Sequence, residues 1–236
     1  MIFSLTDEYI FPHPELSEDS GLLAVGGDLD PQRLLLAYAN GIFPWFNPED
    51  EIMWWSSPFR PVFIPGEVKV SKSLRASMRK HNFEIKLDSN FKEVIENCAI
   101  VERKDQDLTW ISDEIKDSYQ VLFDLGYLHT VEVYLEGKMV GGLYGVSLGR
   151  AFFGESMFQT VSDASKVALY ALSEMLKDWN FLFIDSQVSN PHSYRMGARE
   201  LTKKDFLSLL TNSLDFDTIK GKWEYDFSRV SYLYAI

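Results

Sequence analysis

The sequence predicts an α+β protein in which a small N-terminal domain, residues 1–59, precedes a larger domain with a mostly antiparallel sheet, residues 60–236. Two observations support this prediction. The first 59 residues are rich in Pro, Gly and aromatic residues, which is typical of short elements joined by tight turns. Residues 129–158 form strand-like runs separated by glycine turns, which indicates an antiparallel meander.

The N-terminal domain is predicted to contain one short helix and an aromatic surface. Asp30 and Pro31 are typical of an N-cap and a first helical turn, and Gly41 is placed to end the helix. Two aromatic segments punctuated by proline follow at 43–48 and 54–58. Flat side chains can stack on bases or rings, although most of them are expected in the core.

The larger domain begins with helices and continues with the meander. Capping residues and apolar spacing predict helices near 71–81 and 90–99, and a third helix from Ser112 to Gly126. We expect the remaining elements in this order: strands at 129–135, 139–148 and 151–158, a helix at about 162–179, an apolar strand at 181–184 and a helix that begins at Thr202.

This order of three antiparallel strands, a helix, a strand and a helix is found in acetyltransferase-like (GNAT-type) folds. Proteins of that architecture that use coenzyme A normally hold its pyrophosphate in a glycine-rich turn of backbone amides. Here the matching turn, 159–164, lacks glycine and contains Asp163, which would repel phosphates. A coenzyme A-dependent N-acyltransferase is therefore a disfavoured alternative, and acyl transfer from another donor is expected.

Composition limits the classes of function. The formal net charge of -12 argues against a general nucleic-acid binder, so any contact with RNA must be local. Cys98 is the only cysteine, which excludes an intramolecular disulfide and a cysteine-based metal cage. The N-terminus has no signal-peptide pattern, and no apolar stretch is long enough to span a membrane. We expect a cytoplasmic monomer without a metal or a cofactor.

One basic stretch is a candidate for local contact with RNA. If residues 71–80 are helical, Lys72, Arg75 and Arg79 share one face, while apolar residues face the core. An ordinary solvated helix face is an equally good interpretation. The stretch contains Lys69, Lys72, Arg75, Arg79, Lys80 and Lys86.

Two acids lie in apolar runs, where an ionised carboxylate must be paired or hydrogen-bonded. Glu155 lies within one apolar strand, and Asp185 ends the next. Gln187 follows one same-face step beyond Asp185, so the three polar residues together indicate a site. The alternative is that each acid sits at a strand end and only reaches water. Asn190 and His192 lie in the following loop, where a His is more often a hydrogen-bonding residue than a base.

Six groups of residues, spread over almost the whole chain, form a recognisable series. They are GLLAVGGDL at 21–29, GIFPWF at 41–46, WWS at 54–56, VGGLYG at 140–145, GESMF at 154–158 with ASK at 164–166, and IDSQ at 184–187. In this order they resemble the leucyl/phenylalanyl-tRNA-protein transferases, bacterial enzymes that tag proteins for N-degron proteolysis. Chance agreement at so many spaced positions is not credible.

The resemblance implies that leucine, phenylalanine or methionine is moved from aminoacyl-tRNA to proteins that begin with Arg or Lys. The terminal adenosine of the donor would stack on Trp45 and Trp110. The donor's side chain would enter an apolar pocket. Its implied lining is Leu143, Phe152, Met157, Leu169, Leu172 and Leu176.

The resemblance also implies roles for the polar residues. Glu155 would hold the donor's α-ammonium, and Asn190 would help to hold the acceptor. In one version Asp185 polarises Gln187, which then draws a proton from the acceptor amine. Because a neutral amide is a poor base, we prefer a version in which the pair orients the amine and a carboxylate or water takes the proton. The basic stretch would grip the tRNA acceptor stem, and the acidic surface would attract basic acceptors.

Two features depart from the family pattern. Lys203 lies where the family commonly has an Arg, and residues 105–108, before Trp110, form a slightly extended segment.

A third hypothesis is a non-catalytic module that recognises basic N-termini and delivers proteins to a protease. Such a module would not need the tryptophan surface.

Overall fold

Two sheets organise the chain, one in its N-terminal quarter and one in the remainder. The computed structural model describes residues 1–100, 109–230 and 233. The segment 105–108, which departs from the family pattern in being slightly extended in length, lies outside the described residues. Within the part of the chain that is described, no helix is long and apolar enough to cross a membrane.

The N-terminal sheet has four short strands in the order β1-β2-β4-β3. Its first pair is parallel and the other pairs are antiparallel. Helix α1, Pro31–Ala39, connects β2 to β3, and the Asp30 carboxylate accepts the N–H of Gln32 at 2.8 Å, which confirms the predicted N-cap. The strands are β1 Phe3–Leu5, β2 Leu22–Gly26, β3 Phe43–Pro44 and β4 Met53–Trp55.

The second sheet has seven strands in the order β11-β5-β10-β9-β8-β7-β6. Every neighbouring pair is antiparallel except β9 and β10, which run parallel. This arrangement confirms the predicted α+β class with a mostly antiparallel, acetyltransferase-like sheet. The strands are β5 Phe59–Phe63, β6 Glu84–Leu87, β7 Leu128–Leu135, β8 Lys138–Leu148, β9 Ala151–Gln159, β10 Phe183–Asp185 and β11 Arg199–Thr202.

Helices cover the large sheet, and most of them start where a capping residue predicts. Ser71, Ser112 and Thr202 each accept a backbone N–H from the third residue of the helix that follows. The predicted helices and meander strands are therefore confirmed to within a few residues. The helices are α2 Lys72–Lys80, α3 Phe91–Ile100, α4 Asp113–Asp124, α5 Ala164–Asp178, α6 Pro191–Arg195 and α7 Lys203–Leu214.

Two apolar cores lie on opposite faces of the large sheet. One core joins α3, α4 and α7 to the N-terminal domain, and the other is built around α2 and α5. Gly41 lies at the contact between the domains with a positive φ of 70°, and a Cβ there would come within 2.9 Å of the Phe206 ring. Only glycine fits both constraints. Strand β5 begins at Phe59, and the domain boundary placed at this residue stays a prediction.

Candidate active site

A cleft of about 540 Å³ opens where β9 and β10 separate. The two strands pair in parallel only between Ala151–Phe153 and Phe183–Asp185. Beyond that point β9 continues beside β8, and the chain leaves β10 into the loop 186–190. Residues 43–45 of the N-terminal domain line the other side. The cleft thus lies between the two domains, a common place for a binding site.

Apolar side chains form one end of the cleft. Five of the six residues predicted for the pocket line it, together with Phe63 and Ile184. Leu176 is not among the lining residues, because it lies one turn of α5 beyond Leu172, about 6 Å further along the helix axis, and is buried in the core. The five predicted residues that do line the cleft are Leu143, Phe152, Met157, Leu169 and Leu172.

Trp45 and Trp110 both line the cleft from the side of the N-terminal domain and α4. The Trp45 ring is partly exposed and packs at 6.0 Å and 58° against Trp55, whose Nε1 donates to the Trp45 carbonyl at 2.6 Å. Trp110 is only 6% exposed. The two indoles are therefore held in place, and Trp45 presents the more accessible ring.

Asp185 is the most enclosed charge in the cleft, with no exposed surface. The buried guanidinium of Arg60 binds it through Nε, at 3.0 and 3.1 Å from the two carboxylate oxygens, and through Nη2, at 2.7 Å from Oδ2. Nη1 of Arg60 donates to the carbonyl of Gly41 at 2.8 Å, which ties the pair to the N-terminal domain. The backbone N–H of Gln187 donates to Asp185 Oδ1 at 2.8 Å. Arg60 and the backbone of Gln187 thus hold both oxygens of this carboxylate in place.

Glu155 is a bulged residue, and the bulge turns its side chain into the cleft. Tyr144 of β8 pairs with Ser156 and Gly145 pairs with Gly154, so Glu155 has no partner in the ladder. A Cβ at Gly145 would lie 2.2 Å from the Phe153 carbonyl, so this close approach of the strands requires glycine.

Neutral groups surround the Glu155 carboxyl. Tyr119 Oη donates to Oε2 at 2.9 Å, Gln187 Nε2 donates to Oε1 at 2.6 Å, and Tyr38 Oη lies 2.8 Å from Tyr119 Oη. Burial raises the pKa of Glu155 to about 7, because these hydrogen bonds only partly offset desolvation, and the charge of Asp185 raises it further. The carboxyl can therefore gain or lose a proton near neutral pH.

Gln187 joins the two acids, but in a different way from the predicted one. Its side-chain amide donates to Glu155, and only its backbone N–H reaches Asp185. The residue has a left-handed φ of 57°, which is uncommon outside glycine and is often found at functional sites. Since the amide nitrogen is used by Glu155, the amide oxygen is the atom that remains to accept a hydrogen bond from a substrate.

The last polar side of the cleft is the start of α6. Asn190, expected to hold an acceptor, caps this helix by accepting the Ser193 N–H at 2.8 Å. His192 also lines the cleft, and burial lowers its pKa, with a smaller effect from the positive charges of Lys166 and Arg195. Asn190 is thus a structural cap as well as a cleft residue.

The basic stretch forms an exposed face next to α6. Lys69 donates its backbone N–H to the Met196 carbonyl at 2.8 Å, so the residues that lead into α2 lie beside the end of α6. In α2, Leu74 and Met78 are buried, as the spacing predicts. Lys86 lies apart, paired with Glu84 at 3.3 Å. The exposed cations are Lys69, Lys72, Arg75, Arg79 and Lys80.

Other predicted positions have structural partners. The Nζ of Lys203 donates to the Pro14 carbonyl at 3.2 Å and to the Ser17 hydroxyl, so it connects α7 with the N-terminal domain. In the turn 159–164, Asp163 has a positive φ of 69° and forms an ion pair with Lys166 at 2.6 Å. A carboxylate therefore lies at the start of α5, where a coenzyme A pyrophosphate would have to bind. No cluster of three potential metal ligands occurs among the described residues.

Three residues of the site are missing from the sequence predictions. The sequence could have indicated Arg60, because a cation within the apolar run Phe59–Phe63 requires a buried partner. It could not have indicated Tyr38 and Tyr119, because each occupies a normal core position of an amphipathic helix.

Comparisons with known proteins identify the family of the chain. A family model described as leucyl/phenylalanyl-tRNA protein transferase matches residues 62–211, and the model of its N-terminal domain matches residues 27–58. The chain is 48% identical over 229 residues to the leucyl/phenylalanyl-tRNA--protein transferase of Thermodesulfovibrio yellowstonii, which covers 97% of this chain and 93% of the relative. It is 46% identical over 232 residues to that of Nitrosospira multiformis, and the aligned region covers 98% of this chain and 100% of that relative.

Proposed function

Because the chain belongs to the leucyl/phenylalanyl-tRNA protein transferase family, a family of aminoacyltransferases, we propose that it moves Leu or Phe, with Met as a third donor residue, from aminoacyl-tRNA to proteins that begin with Arg or Lys. The acceptor's α-amine attacks the ester carbonyl carbon. A C–N bond forms, the C–O bond to the ribose breaks, and the ribose oxygen leaves with a proton. The product carries a new N-terminal residue and is marked for N-degron proteolysis.

The observation that carries this proposal is the pair of Glu155 and Gln187 at the mouth of an apolar pocket. The pocket suits a large apolar side chain such as that of Leu or Phe, and the carboxylate of Glu155 suits the α-ammonium beside it. Trp45 and Trp110 lie on the side from which the adenosine would approach, and a base can stack on an indole. The pocket, Glu155 and the two tryptophans together suit the binding of an aminoacyl-adenosine.

The geometry supports a division of labour between the polar groups. The free amide oxygen of Gln187 accepts an N–H of the attacking amine and so directs its lone pair toward the ester. With a pKa of about 7, Glu155 is suited to take up a proton from the amine, either directly or through water. Asp185 acts as a positioning residue, because it fixes the backbone of Gln187 and is itself held by Arg60. Asn190 is proposed to position the acceptor at the rim of the cleft.

The exposed face of α2 is proposed to bind the acceptor stem. Its cations begin where α6 ends, so a strand of RNA that leaves the cleft past α6 meets them next. The protein as a whole repels phosphates, and therefore this contact is local. We further propose that the protein acts as a cytoplasmic monomer and needs no cofactor. The tRNA contacts are Lys69, Lys72, Arg75, Arg79 and Lys80.

A transfer assay tests the proposed function. The protein is mixed with a peptide that starts with Arg and with Leu-tRNA that carries radiolabelled leucine, and label on the peptide is measured. We expect label on this peptide, and none on the same peptide with an acetylated N-terminus. Replacement of Leu-tRNA by free leucine or by acyl-coenzyme A should give none. Label from acyl-coenzyme A alone would overturn the proposal.

A charge reversal tests the role of α2. The double substitution Arg75→Glu and Arg79→Glu should raise the KM for Leu-tRNA and flatten its dependence on salt, because each lost phosphate contact removes about 0.9 from the slope of log K against log salt. The matched control is Lys92→Glu with Lys222→Glu, which makes the same change in charge at exposed positions outside the cleft lining. Equal slopes for the two double variants would reject the contact.

A further inference from the structure

A carboxylate beside the cleft has no role in the chemistry described above. Glu200 of β11 is exposed, and Tyr194 Oη donates to its Oε2. The Ser189 hydroxyl lies 2.9 Å from Tyr194 Oη and donates to the same carboxylate oxygen at 3.3 Å. We name these three residues the Glu200 cluster. Two hydroxyl groups thus hold one carboxylate in a fixed position, while its other oxygen is accessible to a ligand.

The sheet places the Glu200 cluster at the rim of the cleft. Glu200 pairs with Pro61 of β5, and the Pro61 carbonyl accepts the N–H of Ser186 at 2.9 Å. Adjacent strands lie about 4.8 Å apart, so the backbone of Glu200 lies roughly 10 Å from Ser186. Ser189 bridges this distance, because its hydroxyl contacts Glu200 while the residues before and after it, Val188 and Asn190, both line the cleft.

The carboxylate of Glu200 carries a charge that the protein does not neutralise by contact. The adjacent cation, Arg199, forms an ion pair with Glu67 instead. Over residues 1–100 and 109–230, no Lys, Arg or His forms an ion pair with Glu200. A positively charged ligand at this position would therefore meet a carboxylate that is already oriented and is not shared with another cation.

Helix α6 separates this carboxylate from a group of basic residues. His192 and Arg195 are three residues apart and share one face, and His192 lies close enough to both Arg195 and Lys166 for their positive charges to act on it. Tyr194 occupies a different face of the same helix and contacts Glu200. The rim is thus positive on one side of α6, where it suits phosphates, and negative on the other, where it suits a cation.

We infer that the Glu200 cluster binds the cationic side chain of the acceptor's first residue. This inference rests on the proposed function, which places the acceptor's α-amine at Gln187. Ser189 is two residues further along, at most about 7 Å of extended chain, which is within reach of a long basic side chain. A guanidinium can donate two parallel hydrogen bonds to a carboxylate, and an ammonium can donate at least one. The cluster therefore selects Arg and Lys by charge.

The test compares two peptides that differ only in the charge of their first side chain, Arg or its neutral analogue citrulline. The wild-type protein should have a higher kcat/KM for the Arg peptide. In Glu200→Gln, which keeps the shape and the hydroxyl contacts, the ratio of the two kcat/KM values should fall about fivefold, as expected for an exposed ion pair. The KM for Leu-tRNA should not change. The matched control is Glu96→Gln on α3, an exposed acid outside the cleft lining, which should keep the wild-type ratio.

The outcomes separate this inference from the proposed function. If the wild-type protein labels neither peptide, the proposed function fails. If it labels both and Glu200→Gln keeps the wild-type ratio, the Glu200 cluster is not the recognition site, while the transfer activity stands. Tyr194→Phe provides a second variant, because it keeps the charge but removes the hydroxyl that orients it. We expect the ratio of the two kcat/KM values to fall less in this variant than in Glu200→Gln. If the ratio stays at the wild-type value, as expected for Glu96→Gln, the inferred orientation is contradicted.

Discussion

Asp185 and Glu155 lie close to the point where the neighbouring strands β10 and β9 stop pairing, but their carboxyl groups have different hydrogen-bond partners. The guanidinium of Arg60 donates to both oxygens of Asp185, which has no exposed surface. The partners of Glu155 are neutral: the phenols of Tyr119 and Tyr38 and the amide of Gln187. The first acid belongs to a closed ion pair within the larger domain, which Arg60 ties to the N-terminal domain through the Gly41 carbonyl, whereas the second faces the cleft.

The difference shows what each carboxylate can do. A buried charge that a cation compensates is costly to disturb, and it therefore suits a residue that fixes the shape of the site. Neutral donors compensate a charge only in part, so burial raises the pKa of Glu155 to about 7. The same site thus contains one acid suited to positioning and one suited to exchange of a proton.

The largest expected effect comes from removing the cation of the first pair. Arg60→Met leaves Asp185 buried without a countercharge and should lower the free energy of unfolding by about 3–5 kcal/mol. Urea denaturation measures this change. The double variant Arg60→Met with Asp185→Leu should recover much of the loss, because it also removes the uncompensated charge. If the single variant costs under about 1 kcal/mol, Asp185 is not held in the way that the geometry indicates.

The second prediction concerns the other acid. With its folded-state pKa raised from 4.5 to about 7, Glu155 binds more protons in the folded protein than in the unfolded chain between these values. The stability of the fold should therefore decrease as the pH rises through this window, by up to about 3 kcal/mol at full effect.

Comparison with Glu155→Gln isolates this contribution, because glutamine does not titrate. The free energy of unfolding of the wild type minus that of the variant should fall from pH 4.5 to 7 and then level off. Urea titrations across this range measure the difference. Glu96→Gln, at an exposed position of α3, should show no such shift. Parallel curves for Glu155→Gln and wild type would contradict a raised pKa.

The sequence predicts the local part of this structure better than the non-local part. Helix starts at Ser71, Ser112 and Thr202 depend on contacts within one turn, so the residues present are sufficient to identify them. Strands β6 and β11 were not predicted, since each is only four residues long and depends on a partner that is distant in the chain. The parallel pairing of β9 with β10 is likewise a property of the assembled seven-stranded sheet.

The candidate site shows the same limit. Glu155 and Asp185 attract attention because a charge is expensive in an apolar strand. Which partner each acid would have could not be predicted, because Arg60 and Asp185 are 125 residues apart and Tyr119 and Glu155 are 36 apart. In one version of the implied mechanism Asp185 polarises Gln187, but the Gln187 side chain donates to Glu155 and its backbone N–H donates to Asp185. The bulge that turns Glu155 toward the Gln187 amide depends on the register of β8 and β9.

The smallest expected effect is a change in the partners of Glu155 that leaves the carboxyl in place. The hydrogen bond from Tyr119 lowers the pKa of Glu155 against the larger effect of burial, so Tyr119→Phe should raise this pKa. A hydrogen bond of this kind contributes about 1 kcal/mol, which corresponds to roughly 0.7 pH units. If transfer requires the ionised carboxyl, the acidic limb of the profile of kcat/KM against pH moves to higher pH by that amount. Tyr127→Phe provides a control, because Tyr127 is a tyrosine outside the cleft lining and should leave the limb in place. A limb that does not move in Tyr119→Phe would show that the titrating group in transfer is not Glu155.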